Sequence, residues 1–275
     1  MIEKVTRPFA KAFVDYAQHR PEVLCLSADL TSSCEADDFR DAYPERFLSL
    51  GMAEQNMMGV AGGLAREGFL PFITTFSVFI TRRPYDQLAM SVAYPNLPVR
   101  MMGFLPGLTT PGGVTHQAID DVALMRTLPN MTVLDLGDAT EVESALALFD
   151  QIDGPVFCRM LRGEVPRLFE EPLALDRARV LSEGDEVVVI SSGIGTETTL
   201  PAVHALRDAG VAVAHLHTAT LKPFGDPAVA EALARAHYGV VTVENHLVVG
   251  GLGSIVAELI AEQGLGRRQV RVGIQ

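Results

Sequence analysis

Short apolar runs alternate with amphipathic stretches along almost the whole chain. The runs are rich in Val, Ile and Leu and too short for helices, which is typical of buried strands. Strands are predicted at 23–26, 47–50, 70–76, 99–104, 131–136, 156–161, 186–191, 211–216, 240–244 and 269–273. Helical spacing of apolar positions predicts helices at about 53–66, 84–94, 116–128, 140–152, 196–209, 227–237 and 252–263. This alternation predicts an α/β fold, with parallel sheets covered by helices on both faces.

The pattern breaks down once, around Pro166 and Pro172. Scattered charge and proline mark a linker between domains. We therefore predict one domain at 1–167, a linker at 168–184 and a second α/β domain at 185–275. The last predicted strand ends with the chain, where a further helix is expected, so either a tail is missing or the second domain is a truncated form of its fold.

Composition narrows the classes of partner. The 275 residues carry a formal net charge of −12, with no run of Lys or Arg to neutralise nucleic acid or an anionic membrane surface. The N-terminus is amphipathic, and no apolar stretch approaches the roughly 18 residues that span a bilayer. Cys25, Cys34 and Cys158 show neither disulfide nor zinc spacing. We expect a cytoplasmic protein with no nucleic-acid or membrane partner.

Ligands of open parallel sheets collect at the carboxyl ends of the strands. Side chains at those positions, which are the first candidates for a site, are Asp29, Glu54, Phe76, His116 and Arg162. Taken alone, each has a plain structural interpretation. An acid such as Glu54 in a first helical turn complements the helix dipole by about 0.3–1 kcal/mol, and Asp29 suits an Asx turn or a helix cap.

Two further patterns are interpreted as structural. Asp138 and Glu141 have the D-x-x-E form of a capping box at a helix start. His215 and His217 point to one face of a strand and could ligate a metal, but no acid or cysteine stands close in the sequence, which favours a structural role.

Four segments together resemble one family. SADLTSS at 27–33, GMAEQNMMGVAGGLA at 51–65, PFITTFSVF at 71–79 and GGVTHQAIDDVALMRTLPNM at 112–131 resemble the pyrimidine-binding half of transketolases in order and approximate spacing. VENH and GGLGS, within 243–254, resemble the transketolase C-terminal domain. The resemblance covers nearly the whole chain.

The resemblance implies a thiamine diphosphate site. In that family the glutamate matching Glu54 hydrogen-bonds N1′ of the aminopyrimidine and so activates the cofactor. Phe76 and Phe79 match the aromatic pocket for that ring, and Arg82, which stands where a third aromatic often lies, is expected to contribute to cofactor binding. Asp29 matches an acid near the thiazolium.

The same resemblance implies substrate contacts. His116 matches a histidine that contacts the donor substrate and shuttles protons there, a role suited to imidazole. Ser33 and Arg162 match positions that bind a sugar's terminal phosphate. Leu105 and Gly112 stand approximately where the family has a histidine and an aspartate for sugar hydroxyls, so ordinary pentose phosphates are doubtful substrates.

A metal motif is missing from the sequence. The family holds Mg²⁺ through GDG followed by a downstream Asn, whereas this chain has Gly137-Asp138-Ala139 and no suitable Asn. We therefore expect a separate N-terminal subunit to hold the diphosphate and Mg²⁺ or another divalent ion, in a heterotetramer with active sites between subunits.

The leading hypothesis is one half of a two-component transketolase that transfers a two-carbon ketol unit from a ketose donor to an aldehyde. One alternative is a subunit similar to 1-deoxyxylulose-5-phosphate synthase, or another carboligase, that decarboxylates a 2-oxo acid. The β subunits of 2-oxo acid dehydrogenases share the architecture, but their motifs are less similar. A third alternative is a non-catalytic partner subunit.

Overall fold

Two sheets dominate the computed structural model, which describes residues 2–275. The strands are β1 (Lys4–Thr6), β2 (Val23–Ser27), β3 (Phe47–Ser49), β4 (Leu70–Phe76), β5 (Arg100–Phe104), β6 (Thr132–Asp135), β7 (Val156–Met160), β8 (Glu164–Pro166), β9 (Arg179–Ser182), β10 (Val187–Ser191), β11 (Val213–His217), β12 (Thr220–Lys222), β13 (Gly239–Leu247) and β14 (Gln269–Ile274). The helices are α1 (Pro8–Ala17), α2 (Asp37–Ala42), α3 (Glu54–Arg66), α4 (Ser77–Arg82), α5 (Tyr85–Leu88), α6 (Asp121–Arg126), α7 (Ala139–Phe149), α8 (Gly195–Asp208), α9 (Pro227–Arg235) and α10 (Leu252–Glu262).

The first sheet has the order β12-β6-β7-β5-β4-β2-β3, and the second has the order β14-β13-β10-β11-β9. All pairings in them are parallel except those of the edge strands β12 and β9. The predicted α/β fold with parallel sheets and flanking helices is therefore confirmed. A short antiparallel ribbon of β1 and β8 stands apart from both sheets.

Side chains of the first sheet alternate between two apolar layers. On β4, Phe72 and Ile73 are both fully buried but belong to opposite clusters. Phe72 packs with the aromatic rings of Phe13 and Phe149, while Ile73 lies in the layer that contains Met57 of α3. Because successive strand residues point to opposite faces, a near-continuous apolar run needs cover on both sides.

The segment between the two sheets is built into the fold. Arg179–Ser182, which the sequence places in the linker 168–184, forms β9 and pairs with β11. Conversely, β12, which follows β11 of the second sheet along the chain, pairs with β6 of the first sheet. Strands of three or four residues have too little pattern to be recognised from sequence. The domain division at 167 and 185 stays a proposal.

Two helix predictions were wrong in part, and helix α4 was missed. The helix expected at 116–128 covers only Asp121–Arg126, because the preceding loop turns at Gly113, whose φ is +73°, and the His116 amide donates to the Gly113 carbonyl. The helix expected at 84–94 is α5 followed by a π-helical turn. The α4 helix was not predicted, since its apolar residues continue the run of β4 without a break.

Candidate active site

A cavity of about 220 Å³ opens at the carboxyl ends of β2, β3 and β4. The residues that line it are Ala28, Asp29, Leu30, Met52, Glu54, Phe79, Arg83, Thr115 and His116. Four of these are candidates from the sequence, drawn from segments that are far apart along the chain. The parallel topology brings them together because each candidate follows a strand of the same sheet.

Glu54 is the first residue of α3 and is only 3% exposed. Its Oε1 accepts a hydrogen bond from Nη1 of Arg83 at 2.5 Å. The positive end of the helix dipole favours an anion here, and the guanidinium adds a direct counter-charge. A nearly buried carboxylate that faces a cavity is available to a ligand with an N–H donor.

The aromatic candidates form one wall. Phe76 ends β4, Phe79 lies in the first turn of α4, and their rings stack at 5.8 Å with an interplanar angle of 22°. Phe79 lines the cavity, and Phe76 stands behind it with 8% exposure. A flat apolar face beside a buried acceptor suits a planar heteroaromatic ring.

His116 lies beside this wall and also lines the cavity. Its ring packs in a T-shaped arrangement with Phe79 and Phe76, at centroid distances of 5.2 and 6.2 Å. The Thr115 hydroxyl lies 2.8 Å from its Nδ1, which orients the ring. A Cβ added at Gly112 would lie 2.9 Å from the Cβ of His116, so a larger side chain there would have to displace the histidine. Packing against His116 therefore requires a glycine at position 112. A glycine has no side chain that could bind a sugar hydroxyl there.

Asp29 lines the cavity with a left-handed backbone, at φ +61°. Aspartate tolerates this region better than most residues, yet a non-glycine residue there still costs on the order of 1 kcal/mol. Strained residues of this kind cluster at ligand sites.

Arg82 points away from the cavity. Its guanidinium pairs with Asp120 at 2.8 Å, and it is not among the lining residues. The neighbouring Arg83 lines the cavity, with its Cζ 3.8 Å above the centre of the Phe79 ring. Cofactor binding by Arg82 stays a prediction, and Arg83 was missed. Its position four residues after Phe79, on the same helical face, was the available signal.

Ser33 and Arg162 lie together, because the Arg162 guanidinium donates to the Ser33 carbonyl at 2.9 Å. Arg162 lines a second cavity of about 150 Å³, between the two domains, whose other walls include Leu105 and Ile194. Leu105 has φ +53°, a strained conformation for a γ-branched residue. Binding of a phosphate by Ser33 and Arg162 stays a prediction.

A buried ionic cluster stands behind the aromatic wall. Arg159, 1% exposed, bonds Asp121 at 3.0 Å and Asp135 at 3.1 Å. Burial lowers the pKa of Arg159, but the two carboxylates outweigh it, and the pKa is raised overall. Asp121 also accepts from the hydroxyl of Ser77 at 2.5 Å, which ties the start of α4 to the cluster. Arg159 reaches the second domain through the Asn245 carbonyl at 2.8 Å.

His215 and His217 also lie in a buried hydrogen-bond network between the domains. The Ser191 hydroxyl contacts Nε2 of His215 at 2.8 Å, and burial lowers the pKa of His215 to about 4. Nε2 of His217 lies 3.1 Å from the carboxylate of Glu141. Asp138 caps α7 by accepting from the Glu141 amide at 2.8 Å, whereas Glu141 accepts from the Gly137 amide. The first half of the predicted capping box is therefore confirmed.

Neither a metal site nor a membrane-spanning helix is found among residues 2–275. No three His, Cys, Asp or Glu side chains in this range are grouped so that they could hold a metal ion. No helix in it combines the length and the apolar character needed to cross a membrane.

Family patterns match almost the whole chain. Residues 4–167 match the transketolase pyrimidine-binding domain, and residues 176–275 match the transketolase C-terminal domain. Among related sequences, a putative uncharacterised transketolase family protein, y4mN of Sinorhizobium fredii, is 42% identical over 91% of this chain and 73% of its own length. The 6-deoxy-6-sulfo-D-fructose transketolase subunit SqwH of a Clostridium species is 37% identical over 92% of this chain and 80% of that protein.

A solved structure is similar over the same extent. It is described as a split gene transketolase, inactive beta4 tetramer, and it shares 39% identity with a TM-score of 0.88. The match covers 98% of this chain and 88% of that one. Together, the fold, the two domain patterns and these relatives show that the chain belongs to the transketolase family and carries its pyrimidine-binding and C-terminal domains.

Proposed function

We propose that this chain is the cofactor-activating half of a thiamine diphosphate-dependent transketolase, which transfers a two-carbon ketol unit from a ketose to an aldehyde. The observation that carries the proposal is the nearly buried carboxylate of Glu54, which faces a cavity walled by Phe79 and His116. The contacts proposed for the cofactor ring, and that of His116 with the donor substrate, involve residues that line the same cavity.

The residues of the cavity fit an aminopyrimidine ring. Phe79 offers a flat face, and Glu54 offers an acceptor for the ring N–H beside it. A carboxylate held against a ring nitrogen shares a proton with it, which is the form of general acid–base assistance that cofactor activation needs. When bound, thiamine diphosphate supplies a carbon nucleophile for the donor's carbonyl group.

His116 is proposed to serve the donor substrate. Its ring is fixed by Thr115 through Nδ1, so Nε2 is left for a substrate hydroxyl or carbonyl oxygen. An imidazole nitrogen can both accept and return a proton, which suits Nε2 to this role. Arg162 and Ser33, beside the second cavity, are proposed to receive the far end of an anionic substrate.

A separate subunit is proposed to complete the site by holding the diphosphate and the divalent ion. Apolar side chains stand exposed around the cavity: Met52 is 78% exposed and Val114 is 80% exposed. Exposed apolar groups beside a ligand cavity are typical of surfaces that a partner covers. The relatives described as a transketolase subunit and as a split gene transketolase support the same arrangement. A heterotetramer of two such pairs is the assembly we propose, located in the cytoplasm.

The test is Glu54→Gln in the complex reconstituted with the co-purifying partner, thiamine diphosphate and Mg²⁺. Loss of an acid that acts on the reacting system should reduce turnover about 10²–10⁴-fold. Glu67→Gln, which alters an exposed acid at the end of the same helix, is the matched control and should retain turnover. Near-normal turnover by Glu54→Gln would overturn the assignment and would favour a non-catalytic subunit.

The donor is tested separately. The wild-type complex should transfer two carbons from a ketose without releasing CO₂. Consumption of pyruvate with CO₂ release would instead establish the carboligase alternative, since the two reactions differ in whether a carboxylate leaves.

A further inference from the structure

Arg83 already makes the two contacts that the proposed aminopyrimidine site offers. Its Nη1 donates to Oε1 of Glu54 at 2.5 Å, and its Cζ lies 3.8 Å above the Phe79 ring. A guanidinium is planar, carries N–H donors in its plane and stacks on aromatic faces. An aminopyrimidine with an N–H at one ring position is likewise planar and carries the same kind of in-plane donor.

We infer that Arg83 competes with the cofactor's aminopyrimidine for Glu54 and the face of Phe79, and that it is displaced when the cofactor binds. The inference rests on the proposed function, because it takes Glu54 and Phe79 as the aminopyrimidine site. Arg83 thereby sets how tightly the cofactor binds, because the ion pair with Glu54 must break before the aminopyrimidine can enter.

The local structure permits this displacement without a change of fold. The side chain of Arg83 is 45% exposed, and several rotatable bonds separate its guanidinium from the backbone. Its carbonyl is held by Nε2 of Gln55 at 3.3 Å, and Pro84 follows immediately. The backbone can therefore stay in place while the guanidinium rotates toward solvent.

Arg82 shows that this contact is specific to one of two adjacent arginines. Arg82 is 39% exposed, close to the exposure of Arg83, but it pairs with Asp120, which is itself one-third exposed. Glu54, by contrast, is 3% exposed, so the charge that Arg83 meets is poorly solvated. A cation beside a desolvated carboxylate gains more than the same cation beside a hydrated one.

The expected size of the competition follows from these two contacts. A part-exposed ion pair together with a cation–π contact of the same guanidinium corresponds to about a 3- to 30-fold change in an equilibrium constant. A ligand that must first displace a competing side chain loses this factor from its apparent affinity. Removing the guanidinium of Arg83 should therefore restore the affinity for the cofactor.

The experiment measures the dissociation constant of thiamine diphosphate by isothermal titration calorimetry. It uses the reconstituted complex with saturating Mg²⁺. Arg83→Met should bind the cofactor about 3- to 30-fold more tightly than wild type. Arg40→Met is the matched control, because Arg40 is 44% exposed, pairs with Asp41 and is not among the residues that line the cavity. Unchanged or weaker binding by Arg83→Met would overturn the inference.

A double-variant cycle locates the competition at the carboxylate. In a Glu54→Gln background, Arg83→Met should give a smaller gain in affinity than in the wild-type background, because the charged partner is gone. An equal gain would mean that Arg83 acts elsewhere and would also overturn the inference. Arg83→Lys, which keeps the charge but loses the planar fork, should lie between wild type and Arg83→Met, and it serves if the methionine variant assembles poorly.

The two proposals fail in different ways. If Glu54→Gln retains near-normal turnover, the proposed function fails whatever Arg83 does. If Glu54→Gln is inactive but Arg83→Met does not tighten cofactor binding, the function stands and only the competition is rejected.

Discussion

Replacing Arg159 with methionine is expected to destabilise the chain by about 3–5 kcal/mol, the usual cost of removing one partner from a buried ion pair. Arg159 contacts two nearly buried carboxylates, Asp121 at 3.0 Å and Asp135 at 3.1 Å. Methionine fills part of the volume but returns no charge. Asp121 would keep the hydroxyl of Ser77 and the backbone amide of Val122 as donors, and Asp135 would keep the hydroxyl of Ser192.

The magnitude is large because the cluster has little access to water. Asp121 is fully buried and the Asp135 side chain is 4% exposed, so solvent cannot replace the guanidinium. With an unfolding entropy of about 2.1 cal/mol/K per residue over 275 residues, a loss of about 3–5 kcal/mol lowers Tm by about 5–9 °C. The substitution also removes the hydrogen bond to the Asn245 carbonyl, which loosens the contact between the domains.

Differential scanning calorimetry and urea unfolding of the full chain measure this effect. Arg40→Met, at an exposed ion pair, should change the free energy of unfolding by less than about 0.5 kcal/mol. Adding Asp121→Asn and Asp135→Asn to Arg159→Met should recover at least half of the loss, since the unpaired charges are then gone. A loss below about 1 kcal/mol for Arg159→Met would refute the reasoning that these charges depend on the guanidinium.

Two further predictions concern the domain junction. Asp138→Ala should lower the free energy of unfolding in urea by about 2–4 kcal/mol, because the Asp138 carboxylate accepts from the backbone amides of Glu141, Leu168 and Phe169 at 2.8–2.9 Å. Asp138→Asn should lose less than half as much. A loss under about 0.5 kcal/mol for the alanine variant would contradict this account. Burial raises the pKa of Glu141, but His217 and the other partners outweigh it and lower the pKa below its ordinary 4.5. The stability that the Glu141 carboxylate contributes is therefore present above about pH 4.5 and lost below it. Between pH 5 and 3, the free energy of unfolding should fall more for wild type than for Glu141→Gln. Equal losses in the two proteins would disprove this contribution of Glu141.

Much of the architecture follows from local pattern. The run Leu70–Phe76 was predicted as a strand with the bounds that β4 has, and the helix predicted from 53 begins at Glu54. Such elements are recognisable because their apolar residues recur at the period of one secondary structure. The edge strand Thr220–Lys222 has three residues and no period, so only its pairing with β6 makes it a strand.

Some residues of the candidate site were also identified from the sequence, and others only from the structure. Motif order pointed to Asp29, Glu54, Phe79 and His116, and the parallel topology brings all four to one cavity. The choice between adjacent arginines could not be made from sequence, since Arg82 and Arg83 have the same chemistry and differ only in the direction in which α4 turns them.

The sequence by itself determined the fold class, the family and the identity of the acid at the start of α3, because these depend on periodicity and on motifs contained in short segments. Tertiary structure alone decided that Arg83 meets Glu54 while Arg82 meets Asp120, and that Arg159 neutralises two acids from other segments. The physical reason is that a charge is stabilised by what lies within a few ångströms of it in space. Residues far apart in the chain reach that distance only when the sheets and helices have packed.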